Sequence, residues 1–107
     1  MNYNVSIMPE AETDLDEIFD YISYHFLSKE AASNTLENIK LSIKILEDYP
    51  EIGIDVSQRL KKSFSKKHKL RMIISGSYLV FYIIDNNDVA ILRVLYQSRN
   101  WIEIFGN

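Results

Sequence analysis

Large or β-branched residues alternate with small polar ones over Tyr3-Asn4-Val5-Ser6-Ile7, and a period of two is that of a half-buried strand. The spacing changes to three and four at Leu15, Ile18, Phe19, Ile22 and Phe26, which predicts an amphipathic helix with Asp16, Glu17 and Asp20 turned away from its stripe. Pro9 suits the first turn of that helix, and Glu10, Glu12 and Asp14 put negative charge at the positive end of its dipole. Ser28 is a natural N-cap for a second helix, whose stripe runs through Ala32, Leu36, Ile39, Ile43 and Leu46. Two amphipathic helices on a short link predict an antiparallel hairpin, because neither covers its own stripe.

Tyr49-Pro50-Glu51-Ile52-Gly53 ends the hairpin, since proline lacks a donor and biases Tyr49 away from helix. From Ile54 to Lys67 the chain is polar and basic without a strong period, and reads as an irregular connection with a helical turn at Ser57 to Lys61. Three strand-like runs follow, Leu70 to Ser75, Tyr78 to Asp85 and Val89 to Gln97, joined by hairpin turns at Gly76-Ser77 and Asn86-Asn87-Asp88. The middle run is apolar almost throughout, as a central strand must be, and Trp101, Ile102, Ile104 and Phe105 predict a short C-terminal helical turn. The expected fold is α+β: an N-terminal strand, an antiparallel two-helix hairpin, then a three-stranded antiparallel meander. The helices pack on one sheet face and leave the other for function. Residues 1–107 read as a single domain without internal repeat or linker.

Composition narrows the function classes. A chain of 107 residues, 47% hydrophobic, can bury one core unaided. It has no cysteine, which excludes disulfides, cysteine zinc sites and thiol catalysis and suits a reducing compartment. No apolar run approaches the ~20 residues of a membrane span, and Met1 to Glu10 lacks the basic and apolar regions of a secretory signal. The expectation is a soluble cytoplasmic protein. Its net charge of −3 conceals a division: residues 1–58 hold three basic and twelve acidic side chains, and residues 59–107 hold nine basic and three acidic. Arg59, Lys61, Lys62, Lys66, Lys67, Lys69 and Arg71 follow one another with no acid between them. One side of the protein is expected to be acidic and the other basic.

In element order, in length and in three local signatures the whole chain resembles the RelE/ParE superfamily of bacterial type II toxins. The first signature is Ala11-x-x-Asp14-Leu15-x-x-Ile18-x-x-Tyr21-Ile22. The second is Leu46-x-x-Tyr49-Pro50-x-x-Gly53 followed by a basic approach to the meander. The third joins Leu70-Arg71, then Tyr78-x-Val80-x-Tyr82-x-Ile84, then Ile91-Leu92-Arg93-Val94-Leu95-Tyr96-Gln97-Ser98-Arg99, where many relatives have histidine at the position of Tyr96. The resemblance implies a growth-arresting toxin, a plasmid-stabilization type of element, neutralised by a cognate antitoxin in a hetero-oligomer. It leaves the target open, because one branch of the superfamily cuts messenger RNA in the ribosomal A site and the other stalls DNA gyrase on cleaved DNA.

Metal-independent, ribosome-dependent RNA cleavage needs a base for the ribose 2′-hydroxyl, cations for the phosphate and an acid for the leaving oxygen. The resemblance puts Arg71, Arg93 and Tyr96 near the residues that perform this work in RelE-type members. The same side chains have a plain structural use, arginine stems lying over apolar surface and tyrosines closing cores. Arg93 and Tyr96, three apart in one strand, share a face only if a bulge or strand end separates them. Arg99 is a partner or phosphate contact, or else an ion-pair partner of Glu103 one helical turn on.

His25 and His68 have no catalytic partner in the sequence, no ligand spacing suggests a metal, and no cofactor is expected. The basic run, with Arg99, is a candidate docking surface for an acidic antitoxin segment or for nucleic acid. A pI near 5.3 disfavours a body that sits among ribosomal RNA phosphates, and Tyr96 in place of histidine removes the most natural base. The reading is therefore gyrase inhibition first, then the mRNA endoribonuclease, with a non-toxic autoregulatory antitoxin binder as a third class.

Overall fold

A computed structural model of the protein describes residues 2–60 and 64–106. In chain order the elements are β1 (Asn4–Ile7), α1 (Pro9–His25), α2 (Lys29–Ile45), β2 (Ile54–Asp55), β3 (Arg71–Ser75), β4 (Tyr78–Asp85), β5 (Asp88–Tyr96) and α3 (Trp101–Gly106). Short 3-10 turns occupy Pro50–Ile52 and Ser57–Arg59. All five strands join one sheet in the order β1-β5-β4-β3-β2. Only β1 runs parallel to its neighbour, with Ile7 opposite Ile91 at the end of the pairing. The expected α+β order is present, and the meander is extended by one strand at each edge.

Local chemistry accounts for the element ends. Pro9 stands at the start of α1, where its missing donor costs nothing, and Ser28 Oγ accepts the Ala31 N–H at 3.0 Å to cap α2. Both hairpin turns are two residues long, and each begins with a residue of positive φ: Gly76 at 60° and Asn86 at 55°. Between the helices Leu27 also has a positive φ, 51°, where glycine is the usual choice.

The helices bury Ala11, Leu15, Ile18 and Ile22 of α1 with Ala32, Ile39 and Ile43 of α2 and Leu46 beyond it, against Val80, Tyr82, Val89, Ile91 and Val94. Phe26 departs from the expected stripe and is 67% exposed, because the chain has left the helix there; Ala11 takes the inward position at the other end. The opposite sheet face is not free. Val56, Leu60 and Leu70 of the connecting segment pack with Met72, Leu79, Phe81, Leu95 and Trp101 in a second core, and Phe64 and Phe105 lie against it. The rings of Trp101 and Phe105 sit 5.1 and 4.9 Å from that of Phe81. The expectation of a bare functional face is thereby corrected: β4 is apolar on both sides because both sides are covered, one of them by the segment that reads as irregular.

Tyr82, fully buried in the central strand, ties the end of the helix hairpin to the sheet. Its hydroxyl donates to Pro50 O at 2.7 Å and accepts from Gly53 N–H at 2.9 Å. A Cβ at Gly53 would lie 2.3 Å from the Tyr82 hydroxyl oxygen, so only glycine permits this approach. Tyr82→Phe is expected to cost about 1–3 kcal/mol in urea unfolding by leaving both backbone groups unpaired, and Gly53→Ala to cost at least as much. Leu27→Gly, by contrast, is expected to raise stability by about 0.5–1 kcal/mol, because it relieves a left-handed leucine.

Candidate functional site

β1 stops opposite Ile91, although Met8 N–H still reaches Ile91 O at 2.9 Å, and among the described residues the rest of β5 has no strand on that side. Asp14 of α1 takes the vacant place. Its Oδ2 accepts the Val94 N–H at 2.9 Å and Arg93 Nε at 2.8 Å, and its Oδ1 accepts Arg93 Nη2 at 3.0 Å. The carboxylate is buried and the arginine mostly so. The charge-assisted bonds to Asp14 push the Arg93 pKa up, against a smaller opposing effect of burial, with the acids Asp14, Glu10 and Glu17 adding to the rise.

A bulge sets this geometry. Pairing shifts from Phe81 opposite Arg93 to Tyr82 opposite Ile91, which leaves Leu92 as an extra residue in β5. Ile91 and Val94 consequently share the helix-side core although they are three apart. The bulge precedes Arg93 and does not fall between Arg93 and Tyr96, so those two remain out of phase.

The three candidates for RNA chemistry are directed to different places. Arg71 on β3 donates through Nη1 to Gly53 O at 2.9 Å, with a longer contact to Glu51 O at 3.5 Å. Arg93 is bonded to α1. Tyr96 closes β5 opposite Tyr78, the rings edge to face at 5.6 Å.

The basic run also divides. The Arg59 guanidinium lies 5.1 Å from the Trp101 ring centroid, a cation–π contact on the second core, while Lys66, Lys67 and Lys69 are exposed. Ser65 Oγ accepts the N–H groups of Lys67 and His68, and His68 Nε2 lies 3.5 Å from Asp85 Oδ1. Lys61 and Lys62 lie outside the described residues. Asp55 has a lowered pKa, owed first to the Ser57 N–H and hydroxyl, with Lys69 and Arg71 adding to it. Lys66, Lys67 and Lys69 belong to the layer opposite the helices, because the stretch that bears them is anchored by Phe64 and Leu70.

A groove of about 840 Å³ opens between α1 and the ends of β4 and β5. Glu17, Tyr21, Phe26, Tyr78, Tyr96 and Arg99 are prominent in its walls. Burial raises the pKa of the Tyr78 phenol, and the neighbouring Tyr96 and Tyr21 hydroxyls raise it further. Tyr21 also stacks on His25 at 4.0 Å between centroids. Arg99 faces this groove, and Glu103 instead accepts from Asn100 Nδ2 at 3.1 Å. Among the described residues there is no group of three acidic or histidine side chains placed to hold a metal, and no helix long and apolar enough to cross a membrane.

Sequence reasoning missed Asp14 as the partner of Arg93, and missed the convergence of Tyr21 and Tyr78 with Tyr96. The signal for Asp14 was its position on the Ala11–Leu15–Ile18–Ile22 stripe, where a carboxylate needs a buried partner. Nothing local signals the meeting of tyrosines from three elements.

The family model described as the ParE toxin of the type II toxin-antitoxin system, parDE, matches residues 5–101. No curated protein matches the chain. Among solved structures, the chromosomal ParDE system from P. aeruginosa aligns with a TM-score of 0.70 at 17% identity, over 88% of this chain and 95% of that one. The archaeal RelE–RelB complex from Pyrococcus horikoshii OT3 aligns at 0.61 and 19%, over 92% and 99%. The RelBE2 toxin–antitoxin complex from Mycobacterium tuberculosis aligns at 0.57 and 20%, over 90% and 99%. At these identities the likeness is one of fold.

Asp14→Ala is expected to cost about 3–5 kcal/mol in urea unfolding, because it strands a largely buried guanidinium and an unpaired strand N–H. Arg93→Met in the Asp14→Leu background is expected to recover much of the loss. Strict additivity of the two single effects would show that the pair is not coupled.

Proposed function

From the premise that this chain belongs to the ParE toxin family of type II toxin-antitoxin systems, we propose that it arrests growth by ParE-like inhibition of DNA gyrase and is neutralised by a cognate antitoxin. The observation that carries the choice of target is the engagement of both candidate arginines. A metal-independent nuclease needs its cations aimed at one phosphate. Here Arg71 is bonded to backbone carbonyls near Gly53, Arg93 to Asp14, and Tyr96 is turned toward Tyr78. The acidic outer surface of α1 argues in the same direction, since it would be repelled by a cavity lined with RNA phosphates. A protein target tolerates it.

The antitoxin reading rests on the other layer. Exposed Lys66, Lys67, Lys69 and Arg59 offer cations beside the partly exposed Phe64 and Phe105, and an acidic segment with apolar side chains suits both. Lys61 and Lys62 belong to the same stretch of sequence, whereas Arg99 stands apart from it, at the groove beside α1.

Purified protein is to be incubated with gyrase and supercoiled plasmid, and separately with programmed ribosomes. Gyrase-dependent linear plasmid and intact mRNA are the expected results. Codon-positioned mRNA cuts that vanish with Arg71→Ala or Arg93→Ala in a folded variant would replace the gyrase reading by the endoribonuclease one. Inactivity in both assays would favour a binder that serves only to pair with its antitoxin.

A further inference from the structure

The groove beside α1 reaches Asp14 at its wall and the helix-side core at its floor, and its open part has a composition unusual for a surface. Three phenols reach it from three elements, Tyr21 from α1, Tyr78 from β4 and Tyr96 from β5. Tyr21 is 55% exposed, Phe26 lies at one end, and the adjoining Leu27 is 88% exposed. Two consecutive apolar side chains thus stand in water beside an aromatic cleft, a combination that favours a partner.

Charge says which kind. Helix α1 carries Glu10, Glu12, Asp14, Asp16, Glu17 and Asp20 and no lysine or arginine. Arg93 forms its ion pair with Asp14, and Glu17, in the groove wall, belongs to none of the ion pairs among the described residues. Arg99 also lines the groove and offsets one acid, but the three aromatic faces are themselves negative, so the part of the wall formed by Glu17 and the tyrosines favours a cation. Arginine suits the site better than lysine, because its planar head stacks on a ring while it forms paired hydrogen bonds to a carboxylate.

We infer that this groove receives an arginine-bearing segment of the protein on which the toxin acts. The guanidinium stacks among Tyr21, Tyr78 and Tyr96 and pairs with Glu17, and apolar neighbours of that arginine cover Phe26 and Leu27. Arg99, across the groove, orients the segment by binding one of its carbonyl or carboxylate oxygens. The inference rests on the reading that the target is a protein, and it adds the surface and the chemistry of contact.

Two measurements on the full chain test it. In the first, nuclear magnetic resonance follows titration with a blocked Arg-Leu-Leu-Arg peptide, a Glu-Leu-Leu-Glu peptide and an oligoadenylate RNA. The arginine peptide is expected to shift the ring signals of Tyr21, Tyr78 and Tyr96, and Glu17→Lys to abolish the shifts. Groove signals that respond to the acidic peptide or the RNA, or that ignore the arginine peptide, would overturn the inference.

In the second, binding to isolated gyrase subunits is compared for Glu17→Lys, Tyr21→Ala and Lys40→Ala, each at an exposed position and each checked for an unchanged melting temperature. The first two are expected to weaken binding at least about tenfold, and Lys40→Ala to leave it unchanged. Equal affinity of all three variants would refute the groove while leaving gyrase as the target. Arginine-peptide binding in the groove with no affinity for gyrase would refute gyrase while leaving the groove's chemistry in place.

Discussion

A sheet that keeps one strand unpaired along half its length must satisfy or shield the exposed backbone, and here a single carboxylate does so. β1 covers β5 only as far as Ile91, and Asp14 then accepts the Val94 N–H that a longer strand would have taken. Because the same carboxylate holds Arg93, it also fixes α1 over the sheet and keeps a cation from the solvent. Beyond Ile91 the groove lined by Tyr21, Tyr96 and Arg99 opens between α1 and β5.

The bulge at Leu92 belongs to the same device. An unbroken alternation would place Ile91 and Val94 on opposite faces and deprive the helix-side core of one of them. The extra residue brings both inward and advances Arg93 to the open edge, within reach of α1. Tyr82 performs the corresponding task on the far side of β4, where it fixes the Pro50–Gly53 turn and, through Gly53 O, the Arg71 head. Two arginines that resemblance offers as catalytic groups are thus held by the two contacts that lock the helix hairpin to the sheet.

Much of this fold was legible because its signals are local. Ser28 as a cap, Pro9 at a helix start, the Gly76 and Asn86 turns and the apolar run of β4 from Tyr78 to Ile84 each follow from one or a few neighbouring residues. The second core was not legible, because Val56, Leu60 and Phe64, although four apart, are isolated apolar residues in a polar and basic stretch; their partners Met72, Leu79, Phe81, Leu95 and Trp101 lie on distant elements. The two-residue β2 is too short to carry a pattern. Asp14 was hidden for a different reason: an acid in the first turns of a helix already has an explanation in the helix dipole, and that explanation masks a tertiary one. The tyrosine groove requires one helix and two strands to be assembled before its members are neighbours.

The division of charge acquires a physical meaning once the two layers are placed. The acidic helix α1 and the segment bearing Lys66, Lys67 and Lys69 lie on opposite faces of the sheet, and the molecule measures 21 Å along its shortest axis. The Debye length at physiological salt is about 8 Å, so each face is largely screened from the other. A basic partner approaching α1 and an acidic one approaching Lys66 to Lys69 therefore encounter separate fields under those conditions. In dilute buffer, where the screening length grows to about 30 Å at 0.01 M, the same two faces act on one another's ligands and the overall charge of −3 governs the approach of both. Occupancy of one face can then alter capture at the other without any change in backbone, and raising the salt should uncouple them.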